Sequence, residues 1–81
     1  MSDDKWTRVS LRDDITEEIR EITRSVVDGW YAEGRVDWGD VWDRVDGRTL
    51  DDGTRIDMGE GTGTEAFKEL KNMVRRERRD G

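Results

Sequence analysis

The sequence predicts a small α+β fold. A three-stranded antiparallel sheet, from a strand at 5–11 and a hairpin at 48–58, packs against three helices at about 14–33, 38–46 and 63–79. Three observations carry this reading. Apolar residues recur at helical spacing in three separate stretches. The segment from Lys5 to Leu11 alternates like a strand, and Thr49 to Met58 carries a hairpin signal around Asp51-Asp52-Gly53. With 81 residues there is room for one domain. Residues 1–4 and 80–81 read as disordered ends.

In the first strand Val9 and Leu11 share one face, and Trp6, Arg8 and Ser10 share the other. Trp6 is therefore the tryptophan expected at the surface or an interface. Asp13-Asp14 offers an N-cap for the first helix. Its apolar stripe is Ile15, Ile19, Ile22, Val26 and Trp30. Glu17, Glu18 and Glu21 complement the dipole at its start, and Gly34 marks its end. Asp37 caps the second helix, whose stripe is Trp38, Val41, Trp42 and Val45, with Gly47 as the stop.

Two loop lengths fit the hairpin. A two-residue Asp52-Gly53 turn would split Leu50 from Ile56 across the sheet. A three-residue loop pairs Leu50 with Thr54 and Arg48 with Ile56, placing Leu50, Ile56 and Met58 on one face and Gly53 at the left-handed position. Since one face must be buried, the sequence favours the longer loop. The run Gly59-Glu60-Gly61-Thr62-Gly63 is a connector, and Thr62 with Glu65 fits a capping box for the last helix. Ala66, Phe67, Leu70, Met73 and Val74 form that helix's apolar stripe.

Composition narrows the chemistry. Charged residues are 44% of the chain and hydrophobic ones 31%, which approaches the disordered class. The absence of proline and the presence of four tryptophans argue for a folded core, since each tryptophan buries roughly 150–250 Å². Without cysteine there is no disulfide framework, thiolate nucleophile or zinc ribbon. Without histidine, the commonest acid–base group and transition-metal ligand is gone. No apolar run reaches the roughly 20 residues of a membrane span, and the acidic start does not fit a secretory signal. The expectation is a cytoplasmic protein, not an enzyme, with no cofactor.

The charge is skewed. There are 13 Asp and 8 Glu against 12 Arg and 3 Lys, for a net −6. An acidic, lysine-poor surface resembles that of proteins from salt-loving microbes, in which molar salt screens self-repulsion over a Debye length of about 3 Å. A GC-rich genome gives the same bias without salt adaptation. Along the chain, residues 1–64 hold 9 basic and 17 acidic side chains, and residues 65–81 hold 6 and 4. An acidic body thus carries a basic tail.

Candidate sites follow from these patterns. The glycine run between strand and helix has the outline of a phosphate cradle, yet it lacks the Lys-Ser/Thr of a P-loop and carries Glu60. Asp51, Asp52 and Asp57 offer oxygen ligands to Ca²⁺ or Mg²⁺, without the spacing of a calcium loop. The basic row Lys68, Lys71, Arg75, Arg78 and Arg79, beside Phe67-Leu70-Val74, is the leading binding surface. It exceeds the one or two cations that a helix C-terminus calls for. The expected role is a small non-catalytic interaction or regulatory module. Its partner is another protein or an acidic partner held by the C-terminal basic helix.

A second reading comes from Trp6-Thr7-Arg8-Val9-Ser10-Leu11-Arg12, the helix over Ile15–Val26 and Gly34-Arg35 before the next helix. Residues 5–46 resemble a ribbon-helix-helix DNA-binding domain. The resemblance implies a homodimer whose strands pair into a ribbon in the major groove. Arg8, Ser10 and Arg12 would then contact nucleic acid. The sequence departs from that family at Asp13-Asp14, where the family usually has a proline and a neutral residue, and in its hairpin and third helix.

Overall fold

The computed structural model describes residues 5–10 and 12–80. Leu11, residues 1–4 and Gly81, expected as strand and as disordered ends, lie outside the described residues. The chain runs through β1 (Trp6–Arg8), a 3-10 turn (Arg12–Asp14), α1 (Glu17–Tyr31), α2 (Trp38–Val45), β2 (Arg55–Asp57) and α3 (Glu65–Asp80).

The α+β class stands, but the three-stranded antiparallel sheet does not. Among the described residues the sheet has two strands, and they are parallel, with Trp6 opposite Arg55, Thr7 opposite Ile56 and Arg8 opposite Asp57. The Arg55 N–H donates to Lys5 O at 2.8 Å, and the Val9 N–H donates to Asp57 O at 2.9 Å. A parallel pair needs a crossover of a dozen or more residues. Here α1 and α2 make that crossover and return the chain in the same direction.

The hairpin survives in reduced form. The Leu50 N–H donates to Thr54 O at 2.6 Å and the Ile56 N–H to Arg48 O at 2.9 Å, which is the pairing of the three-residue loop. Gly53 sits at φ +89, the left-handed region that favours glycine. The first arm contributes one isolated antiparallel bridge, Thr49 with Arg55, rather than a strand. It has no length for more, because α2 ends where the arm begins. The Arg48 N–H still donates to Val45 O at the helix end.

Two of the three helix caps are displaced from the expected ones. Asp13-Asp14 lies in the 3-10 turn, and Thr16 caps α1 by accepting from the Ile19 N–H. Asp37 caps α2 as expected, accepting from the Gly39 and Asp40 N–H groups. For α3 the cap is Thr64, which accepts from the Phe67 N–H at 3.3 Å, so the Thr62–Glu65 box does not form the helix start.

The core lies between the helices and the inner face of the sheet. Val9, Ile56 and Met58 meet Ile15 just before α1, Ile19 and Val27 of α1, Val41 and Val45 of α2, and Ala66, Phe67, Leu70 and Val74 of α3. At roughly 25 cal/mol per Å² of apolar surface removed from water, these twelve residues carry most of the folding drive. The buried line of α1 is Ile19-Thr23-Val27, while Ile22, Val26 and Trp30 are half-buried beside it. Thr23 is fully buried because its hydroxyl donates back to Ile19 O at 2.8 Å. Trp30, Trp38 and Trp42 pack against the core from its rim. Trp6 is 52% exposed on the outer face of β1.

Candidate functional site

Helix α3 carries the densest basic surface, and its geometry decides which side chains share it. Positions 66, 67, 70 and 74 face the core. Positions 72, 75, 76 and 79 are related by i, i+3, i+4 and i+7, and so share the opposite face. Asn72, Arg75, Arg76 and Arg79 together line a shallow open depression there. It spans about 10 Å of helix axis at 1.5 Å per residue. Lys68 extends this face by one turn toward the helix start, where Glu65 and Glu69 lie beside it.

The expected row of five therefore divides. Lys68, Arg75 and Arg79 are on the outer face, exposed to solvent. Lys71 turns to the flank and places Nζ over the Trp38 ring, 5.4 Å from its centre. Trp38 in turn meets Phe67 edge to face at 6.3 Å. Arg78 lies over the Tyr31 ring at 3.7 Å and pairs with Asp28 of α1. Arg76 is absent from the row that follows the apolar stripe, since it lies further around the helix. The i+4 relation of Asn72 and Arg76, and the i+3 step from Arg76 to Arg79, would have found it.

Ion pairs fix the rotation of this last turn. Glu77, the one acid between Arg75 and Arg79, points to α1, where it pairs with Arg24 and lies 3.6 Å from Arg20. Arg78 is held by Asp28, one turn further along the same row of α1. These inter-helix pairs turn Glu77 away from the outer face. Among the described residues, Lys68, Arg75, Arg76 and Arg79 make no ion pair and no ring contact. Other basic side chains without ion pairs, such as Arg8 of β1 and Arg35 and Arg48 of the segments that flank α2, do not share a helix face.

The strand residues are arranged differently. Arg8 is exposed beside Trp6 on the outer sheet face, and the Arg55 guanidinium sits 5.7 Å from the Trp6 ring centre. The Ser10 hydroxyl and N–H both donate to the Asp14 carboxylate, at 3.2 and 3.3 Å. Arg12 Nε lies 3.6 Å from Glu69. Of the three proposed nucleic-acid contacts, Arg8 alone makes no such intramolecular bond among the described residues. The strand itself pairs with β2 of its own chain.

The carboxylates serve turns. The Asp52 carboxylate accepts from the Thr54 N–H at 2.8 Å. That bond and one from the Thr54 hydroxyl hold its pKa below the ordinary 3.8. Asp57 accepts from the Gly59 N–H and Asp46 from the Met58 N–H. The Asp51 N–H donates to Glu18. Among the described residues, no three acidic side chains converge as a metal site would need. In the glycine run the Gly59 N–H is already bonded to Asp57, and Glu60 is exposed. No helix among the described residues is long and apolar enough to cross a membrane. No family model, curated protein or solved structure matches this chain.

Proposed function

We propose that the chain is a small non-catalytic interaction module of the cytoplasm that docks an acidic protein partner on the outer face of α3. Lys68, Arg75, Arg76 and Arg79 make the contacts. One observation supports this above the others. In a chain of net −6, four cations share one exposed helix face with no ion pair among the described residues. Lys71 and Arg78 on the same helix are each engaged by an aromatic ring. Cations that served only the helix dipole would be worth about 0.3–1 kcal/mol each and would sit in the final turn. Lys68 lies well before it.

The test pairs binding with stability. Anisotropy of a fluorescein-labelled decaglutamate peptide is measured against the native chain and against Arg75→Glu/Arg76→Glu/Arg79→Glu, with a thermal melt of each. The proposal expects binding to be lost while the midpoint changes little, because exposed substitutions usually fall within about 0.5 kcal/mol. Loss of stability in step with loss of binding would make the basic face structural. A labelled twelve-nucleotide DNA that binds more tightly than decaglutamate would move the reading to nucleic acid.

A further inference from the structure

We infer that the outer face of α3 recognises a pair of carboxylates, about one helical turn apart on its partner, through the guanidinium forks of Arg75, Arg76 and Arg79. This rests on the docking reading above and adds to it how the partner is read: by contact geometry, not by positive charge alone.

The residue types are the first argument. The four side chains lining the depression are three arginines and one carboxamide, Asn72. A guanidinium presents five N–H donors in a rigid plane and accepts nothing, so its fork matches the two oxygens of a carboxylate. An ammonium is a compact charge with no such plane. Both lysines of the helix lie off this depression: Lys71 is on Trp38, and Lys68 is one turn away among Glu65 and Glu69. Asn72 adds one group that both donates and accepts.

Length is the second argument. From Asn72 to Arg79 the face spans about 10 Å, and from Arg75 to Arg79 about 6 Å. Two carboxylates at i and i+4 on a partner helix are also about 6 Å apart along its axis. A nucleic acid would need more. Affinity for it grows with the number of phosphates neutralised, commonly 6–10. A strand running on past Lys68 would meet Glu65 and Glu69, and the chain as a whole is acidic.

Long-range charge is the third. An acidic partner approaching a chain of net −6 is repelled until it is close. Attraction must therefore come from bonds at contact, which the arginine forks supply. The inter-helix pairs of Glu77 and Arg78 keep the last turn in one rotation, so the forks are presented together.

The experiment uses the full chain and a labelled alanine-rich helical peptide with two glutamates at i and i+4, alongside a peptide of the same composition with them at i and i+2. Two variants are compared with the native chain: Arg75→Lys/Arg76→Lys/Arg79→Lys, which keeps the charge, and Arg75→Gln/Arg76→Gln/Arg79→Gln, which removes it. Melts confirm that each folds. The inference expects the i, i+4 peptide to bind at least fivefold more tightly than the i, i+2 one. It expects the lysine variant to lose at least tenfold and the glutamine variant to lose binding altogether. If the lysine variant binds like the native chain while the glutamine variant does not, fork recognition is overturned and the docking reading stands. If the glutamine variant also binds like the native chain, or the native chain does not bind either peptide, the docking reading falls with it. Displacement of the peptide by millimolar inorganic phosphate, with no displacement by equimolar acetate, would overturn the assignment to carboxylates.

Discussion

Replacing Gly59 by alanine should cost about 2–3 kcal/mol, because Gly59 holds the start of α3 in place. The residue sits at φ +97, and left-handed backbone costs a residue with a Cβ roughly 1–2 kcal/mol. A Cβ there would also stand 2.9 Å from Thr64 Cγ2, closer than carbon atoms pack. Thr64 is not free to swing away. Its hydroxyl reaches Met58 O at 3.3 Å and Gly61 O at 3.2 Å, and it accepts from the Phe67 N–H. Displacing it weakens the N-cap, worth about 1 kcal/mol. The two contributions together are a large part of the roughly 4–12 kcal/mol expected of a domain this size. Urea denaturation of the native chain, Gly59→Ala, Thr64→Ser and the double variant separates them. Thr64→Ser keeps the hydroxyl and removes the methyl. In its background Gly59→Ala should cost about 1 kcal/mol less, leaving the backbone component. An equal cost in both backgrounds would refute the steric part. A cost under about 0.5 kcal/mol in the native background would refute the left-handed assignment as well. Gly29 is the contrast: it lies inside α1, and a Cβ there meets nothing within 4 Å. Gly29→Ala should stabilise by about 0.5–1 kcal/mol in the same assay.

Three further outcomes are expected. Glu77→Ala should lower stability by about 1 kcal/mol in urea at low salt, since it removes the acid that ties α3 to Arg20 and Arg24 and leaves those two only their partners within α1, Glu17 and Glu21, and the loss should shrink in molar KCl. The Asp52 carboxyl should titrate below 3.8 by carbon-detected NMR, and Thr54→Val should move it back up. Because the folded value is the lower one, its contribution is fully present above the ordinary value and is lost as pH falls through the folded one; Asp52→Asn should flatten stability across that acid range. The thermal midpoint of the native chain should rise between dilute buffer and 2 M KCl if the acidic surface is salt-adapted. An unchanged or falling midpoint points instead to codon bias.

The hairpin register was legible because a one-residue slip would have put Ile56 on the solvent face, and burial forbids that. The strand direction was not. Alternation says which face is inward, and it says nothing of whether a neighbour runs parallel; the two-helix crossover decides that. Helix bodies were legible from their stripes, and so was the Asp37 cap of α2, while the caps of α1 and α3 were not. Asp13, Asp14 and Thr16 are all capping residues within four positions, as are Thr62 and Thr64 within three. Tenths of a kcal/mol choose among them. Thr23 escaped notice because a polar side chain at a core position looks exposed until its hydroxyl is bonded within the helix. At the candidate site the basic character of α3 was plain in the sequence. Which cations remain exposed was not, because that depends on Tyr31, Trp38 and Asp28 arriving from other elements.

The central claim is that Arg75, Arg76 and Arg79 form the contact surface. The most direct measurement is the proton–nitrogen spectrum of the nitrogen-15-labelled chain, covering backbone amides, arginine Nε–Hε, asparagine carboxamide and tryptophan indole signals, during titration with decaglutamate. The account predicts the largest shifts at these three side chains, smaller ones at the Asn72 carboxamide and the Lys68 backbone amide, and none at the Trp6 indole or Arg8. Shifts that instead fall on Trp6, Arg8 and Arg55, or that leave Arg75, Arg76 and Arg79 unmoved, would contradict it.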